Sequence, residues 1–131
     1  MENMNKVLES MTFDFFGNAK HKIPAAKQLA DKDAIFLDIR SDEEYKTLKF
    51  DLEFHQKSLH IPIDQIPARL GDIPKDKNVG VFCASGNRSV MVYFYLKALG
   101  YENVRVVEGG YTELVAELKP GKVLKTIKGL L

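Results

Sequence analysis

The chain has a single cysteine, Cys83, among 131 residues. That count rules out an internal disulfide, a Cys-x-x-Cys redox pair and a zinc knuckle. Any covalent chemistry at Cys83 must therefore be completed by a second molecule. Charge of one sign is equally scarce: 19 basic against 18 acidic residues leave a formal net charge of +1, which gives no electrostatic case for binding nucleic acid. No apolar run approaches the roughly 18 residues that a membrane span needs. Met1 to Lys6 lack the basic start and apolar centre of a secretion signal, so the cytoplasm is the expected location. Internal repeats and low-complexity segments are missing too, as is any Asn-Gly turn between apolar runs that would mark a hairpin.

What is present alternates. Met4, Val7, Leu8 and Met11 recur at helical spacing, and Phe13, Phe15 and Phe16 follow. Residues 1–22 thus read as an arm that packs on the domain or across a dimer, in a monomer or homodimer. Ile23-Pro24 is expected to open a helix to Ala30, with Pro24 in its first turn. Ala34 to Ile39 is almost continuously apolar, as a central parallel strand buried on both faces would be. Ser41 and Glu44 form a capping box for a helix over 42–48. Residues 49–57 read as a loop, Leu59 to Ile61 as a short strand, and Asp64 to Leu70 as a small helix stopped by Gly71. Val79 to Phe82 is another buried strand, followed after a polar turn by an apolar helix to Leu99. Val104 to Val107 is the last strand, and Gly109-Gly110 turns the chain into a helix over 111–118.

Such alternation predicts an α/β domain with a parallel sheet covered by helices on both faces. Ligands in these folds gather at the carboxyl ends of the strands, where Asp38, Arg40, the Cys83 turn and Gly109-Gly110 all fall. Residues 119–131 add a basic amphipathic tail, with Val123, Leu124, Ile127 and Leu131 on one stripe and Lys119, Lys122, Lys125 and Lys128 on another. The tail is expected to pack on the domain with its lysines in water.

The chemistry concentrates in Cys83-Ala84-Ser85-Gly86-Asn87-Arg88-Ser89. A cysteine between a strand end and a helix start sits where aligned peptide dipoles place partial positive charge. A free thiol has a pKa of about 8.5; lowering it by about two makes the thiolate dominant and takes about 2.7 kcal/mol. Several inward-turned amides and the charge of Arg88 are suited to supply it. Gly86 lets the turn adopt positive φ, the amides then form an anion-binding nest, and Asn87 and Ser89 are expected to hydrogen-bond the turn's backbone. Four residues separate Cys83 from Arg88. Cysteine phosphatases on related scaffolds carry five, so phosphatase or arsenate reductase activity is the weaker alternative.

This loop resembles the active-site loop of single-domain rhodanese sulfurtransferases, and the resemblance runs over roughly residues 23 to 118. It takes in Leu37-Asp38-Ile39-Arg40 with Glu44-Tyr45, Ile61-Pro62-Ile63-Asp64 with Pro67-Ala68-Arg69-Leu70, and Glu108-Gly109-Gly110-Tyr111. It implies a five-stranded parallel sheet flanked by helices, and a Cys83 persulfide as the working intermediate. Ala84 to Ser89 would cradle the persulfide, and Asp38 and Arg40 would support the loop from behind. The implied partners are a small-molecule sulfur donor such as thiosulfate and a thiol or cyanide-like acceptor, or a sulfur-accepting protein; no cofactor or metal is expected. A non-catalytic protein-binding module on the same fold is the other alternative. Ala84 stands where the family often carries Arg, Lys or Tyr, and Leu114 where it carries Trp.

Overall fold

The computed structural model describes residues 2–129. Met1 and Leu131, counted above in the arm and the tail, lie outside the described residues. In chain order the elements are α1 (Glu2–Ser10), α2 (Phe13–Gly17), β1 (Lys22–Pro24), α3 (Ala25–Ala30), β2 (Ile35–Asp38), α4 (Asp42–Thr47), β3 (Lys57–His60), β4 (Val79–Phe82), α5 (Asn87–Ala98), β5 (Val104–Glu108), α6 (Gly110–Glu117) and α7 (Pro120–Ile127). The five strands form one parallel sheet in the order β1-β5-β4-β2-β3. The expected α/β architecture is therefore the observed one.

Strand periodicity sorts the core into two layers. Ile35, Leu37, Ile39, Val79, Val81 and Cys83 face α5, where they meet Val92, Tyr93, Leu96 and Phe15. Phe36 and Phe82 face the other way, onto Leu29 of α3 and Leu114 of α6. Because β2 and β4 are covered on both sides, every residue of each is buried, which is why their sequences are so uniformly apolar. Two residues break that uniformity, Asp38 at the end of β2 and Gly80 in β4. Gly80, in the middle of β4, has no room for a side chain because the Gln28 carboxamide lies against it. Gln28 donates to the Ile35 carbonyl and to Gln56 Oε1, and Gln56 donates back to the carbonyls of Gln28 and Asp31. This buried amide pair fastens α3 to the segment before β3.

The structure corrects three local expectations. Pro24 does not begin a helix: it ends β1, with extended backbone, and α3 starts at Ala25. A proline is tolerated there because β1 is an edge strand with a neighbour on one side only. The segment 64–70 is not a helix but two short 3-10 turns, Ile63–Gln65 and Leu70–Asp72, since Pro67 lacks the N–H that a continuous helix would use. His55, in the segment 49–57 that reads as a loop and so would be expected to leave its ring in solvent, is buried at 5% exposure, with Nδ1 unpartnered among the described residues. In the arm, Phe15 is buried in the α5-side core, while Phe13 is 94% exposed. The tail helix α7 leaves Leu124 and Ile127 half-exposed, so its apolar stripe is only partly covered. Among the described residues no helix is long and apolar enough to cross a membrane.

Candidate active site

Cys83 immediately follows β4, a central strand, and the chain then turns through Ser85 and Gly86 into the first turn of α5. Gly86 caps that helix with φ of 87°, in the left-handed region, where a β-carbon would be strained. The turn points the Gly86 N–H at Cys83 Sγ, 3.0 Å away. Burial opposes ionisation of the thiol. The Ser89 hydroxyl and N–H, with the N–H groups of Ser85 and Gly86, outweigh that cost and hold the thiol below its ordinary pKa. Among the described residues Ser89 Oγ, sealed from solvent, has no hydrogen-bond partner. Sγ accepts directly from the Gly86 N–H, and Cys83 is only 1% exposed. Thiolate absorbance in the ultraviolet, taken as the difference between this protein and Cys83→Ser, is expected to titrate below the pH of about 8.5 that is typical of a free thiol. A midpoint at or above that pH would show that burial wins.

Three residues of the loop behave differently from their sequence expectations: the Ser89 hydroxyl, expected to bond the turn's backbone, is buried without a partner among the described residues, and Asn87 and Arg88 also depart. Asn87 is exposed and, among the described residues, its side chain has no hydrogen-bond partner, because the left-handed turn at Gly86 directs the first helical residue outward. Arg88 reaches across to α4, where Nη1 and Nη2 bind Glu44 Oε1 and Oε2 at 2.7 and 3.0 Å. The same carboxylate completes the capping box, accepting from the Ser41 N–H at 3.0 Å while Ser41 Oγ accepts from the Glu44 N–H. Arg88 and these cap bonds together pull the Glu44 pKa down to about 2. The double duty of Glu44 was not visible in the sequence.

Among the described residues, Asp38 and Arg40 make no hydrogen bond or ion pair with residues 83–89. Arg40 is fully buried. It grips the Asp38 carboxylate through Nε at 2.9 Å and Nη2 at 2.7 Å, and donates to the Leu48 carbonyl and to Tyr111 Oη. Burial works against the guanidinium charge, but the bonds to Asp38 and Tyr111 more than offset it, so Arg40 stays protonated. Its plane is surrounded by Phe50, Phe82 and Tyr111. Phe82 directly precedes Cys83, and Tyr111 directly follows Gly110, whose missing side chain lets it lie against the loop. A β-carbon on Gly110, where φ is +54°, would stand 2.8 Å from the Ala84 carbonyl oxygen. Gly110→Ala must therefore displace backbone from backbone. Such a shift of the reacting group is expected to slow reactions at Cys83 by about a hundredfold, with only a small fall in melting temperature. Unchanged reactivity would show that the loop does not depend on this contact.

Sequence reasoning assigned nothing to His21 or His60, and the structure gives both a place. His60 Nε2 lies 2.8 Å from the Arg40 carbonyl, with Tyr45 packed on its ring. His21 stacks on Phe15 with its Nδ1 buried and unpartnered. It borders a cleft of about 210 Å³ that runs past Lys22, Ser85, Gly86 and Glu108 to Gly110. The aromatic run before His21 was the one available signal, and it reads equally well as packing.

A family model for the rhodanese-like domain matches residues 24–117. The chain belongs to the rhodanese-like family. Its relatives include a sulfurtransferase of Allochromatium vinosum, 35% identical over 86 residues that cover 65% of this chain and 76% of that protein. A tRNA sulfurtransferase of Mannheimia succiniciproducens is 36% identical over 89 residues, covering 68% of this chain but only 18% of that much longer protein. Among solved structures, a rhodanese-related protein from Thermoplasma volcanium superposes with a TM-score of 0.63 at 31% identity, covering 76% of this chain and 95% of that one. At family level these matches place the rhodanese-like protein among the sulfurtransferases, as the loop sequence had suggested.

Proposed function

We propose that this protein carries a sulfane sulfur from a donor to a thiophilic acceptor through a persulfide on Cys83. The observation that carries the reading is the buried thiol just ahead of α5, whose Sγ accepts from the Gly86 N–H at 3.0 Å and whose pKa the loop's backbone N–H groups lower against burial. In the first half-reaction the Cys83 thiolate attacks the outer sulfur of the donor. The donor's S–S bond breaks, and its electron pair leaves with the remaining fragment, which is sulfite if thiosulfate is the donor. In the second half-reaction a thiolate or cyanide attacks the outer sulfur of the persulfide and the Cys83 thiolate departs. Ala84 to Ser89 supply the anion's surroundings, and the turn is held in shape by Gly86. Asp38 and Arg40 act at one remove, as a buried clamp on the residues that flank the loop, Phe82 and Tyr111. The single cysteine fits this cycle, since the acceptor thiol arrives on another molecule.

The direct test is intact mass spectrometry after incubation with a sulfane donor. A gain of about 32 Da, one sulfur atom on the nucleophile, mapped to Cys83 and lost on adding a thiol or cyanide, supports the cycle. A protein that never gains this mass from any of several donors is a binding module, not a carrier.

A further inference from the structure

His55 sits in a firmly held turn, yet its ring bonds nothing. The backbone N–H groups of His55 and Gln56 both donate to the Leu52 carbonyl, at 2.8 and 3.1 Å, and the Gln56 carboxamide ties the turn to Gln28 and Asp31. His55 is 5% exposed, and its Nδ1 is sealed without a partner. Nε2 also lacks a partner among the described residues, but it is not sealed. A buried polar group left unpaired is rare and calls for a reason. The reason on hand is a cavity of about 300 Å³ that His55 lines. One wall is α3, where Ala26, Leu29 and Ala30 recur at i, i+3 and i+4 and so share a face. Two of these three are alanines, and their small side chains leave the space open. Lys32, Glu117 and Thr126 supply the polar lining.

The polar groups decide what the cavity accepts. Burial holds His55 below the ordinary histidine pKa, against the pull of Asp51 and Glu117, so the ring is neutral near pH 7 and carries one proton. With that proton on Nε2, the nitrogen that is not sealed, the ring offers the cavity an N–H donor. Glu117 is already paired with Lys122 at 2.9 Å, and the Thr126 hydroxyl is spent on the Lys122 carbonyl. Lys32 is exposed and, among the described residues, is in no ion pair. The uncommitted groups are therefore two donors, one of them cationic, beside an apolar wall. We propose that this cavity binds a small organic monoanion, a carboxylate on a short apolar chain, with its charge matched by Lys32 and the His55 N–H and its chain laid on Ala26, Leu29 and Ala30. The volume is room for roughly ten waters at liquid density, at the lower end for small-molecule sites, which limits the chain to a few carbons. None of residues 83–89 lines the cavity, so the site stands apart from the Cys83 reading.

The test titrates the protein with hexanoate, hexanamide and hexylamine, which share one chain and differ in charge. Binding is read from the His55 ring signals in the proton NMR spectrum, identified by their loss in His55→Phe. Hexanoate is expected to shift these signals saturably, and to bind about tenfold more tightly than hexanamide, the worth of one charge-assisted contact. Lys32→Ala is expected to erase that advantage. Ala26→Leu and Ala30→Leu, each at an exposed helical position, are expected to fill the cavity and abolish the response while melting as the parent does. Four results would overturn the inference: no saturable shift with hexanoate, equal affinity for hexanoate and hexanamide, tightest binding of hexylamine, which would give the site's charge to Glu117, or a response that survives both leucine variants. The Cys83 cycle would stand in every case.

Discussion

Replacing Cys83 by serine is expected to abolish sulfur loading while the protein still folds. The side chain sits at the α5-side core with 1% exposure, and serine is smaller, so no overlap arises. The new hydroxyl still meets the Gly86 N–H that now points at Sγ, which limits the cost of burying it to about 1 kcal/mol. Chemistry suffers far more. A hydroxyl at the same position remains protonated near neutral pH and forms no S–S bond, and the chain has no second thiol to substitute for it. Intact mass and a melting curve, measured on the same samples, check the prediction: no gain of sulfur, and a transition within a few degrees of the parent. Sulfur bound covalently to the serine protein would mean that another residue is the nucleophile.

Arg40→Ala is expected to destabilise the fold by about 3–5 kcal/mol, because it strands the Asp38 carboxylate in the interior. The site is closed to bulk solvent: Arg40 is fully buried between Phe50, Phe82 and Tyr111. A double replacement, Asp38→Asn with Arg40→Met, removes both charges and keeps most of the volume. It is expected to recover the greater part of that loss. Denaturant midpoints for the two variants decide the matter. If the double variant is as unstable as the single one, the clamp acts through its bonds to Leu48 and Tyr111 rather than through charge compensation.

The fold was legible where burial leaves a strong mark. Ala34 to Ile39 and Val79 to Phe82 are covered on both faces, so a central strand is the simplest account of their composition. The strand at Lys22–Pro24 was not legible. Three residues on a sheet edge carry no periodicity, and its proline reads more naturally as a helix start. The capping box at Ser41 and Glu44 was read correctly, and for that reason Glu44 seemed already explained. Its second partner, Arg88, lies 44 positions away, a distance no local pattern spans. The loop itself was the most legible part of the site, since Gly86 and the residues around it have little purpose in packing. His21 was hidden by the opposite circumstance: its neighbours are aromatic and would be needed by any core.

The position of the strands also divides the molecule by how readily each part opens. β4, which leads into Cys83, is hydrogen-bonded on both sides, to β5 and to β2, whereas β1 has only β5. Separating β4 requires breaking the sheet through its middle, an event close to global unfolding, while three residues of β1 detach at far lower cost. One wall of the cleft, with Lys22, is built on that edge strand. The nucleophile therefore follows the strand that is hardest to release, while the wall beside Ser85 and Gly86 rests on the one that detaches at least cost.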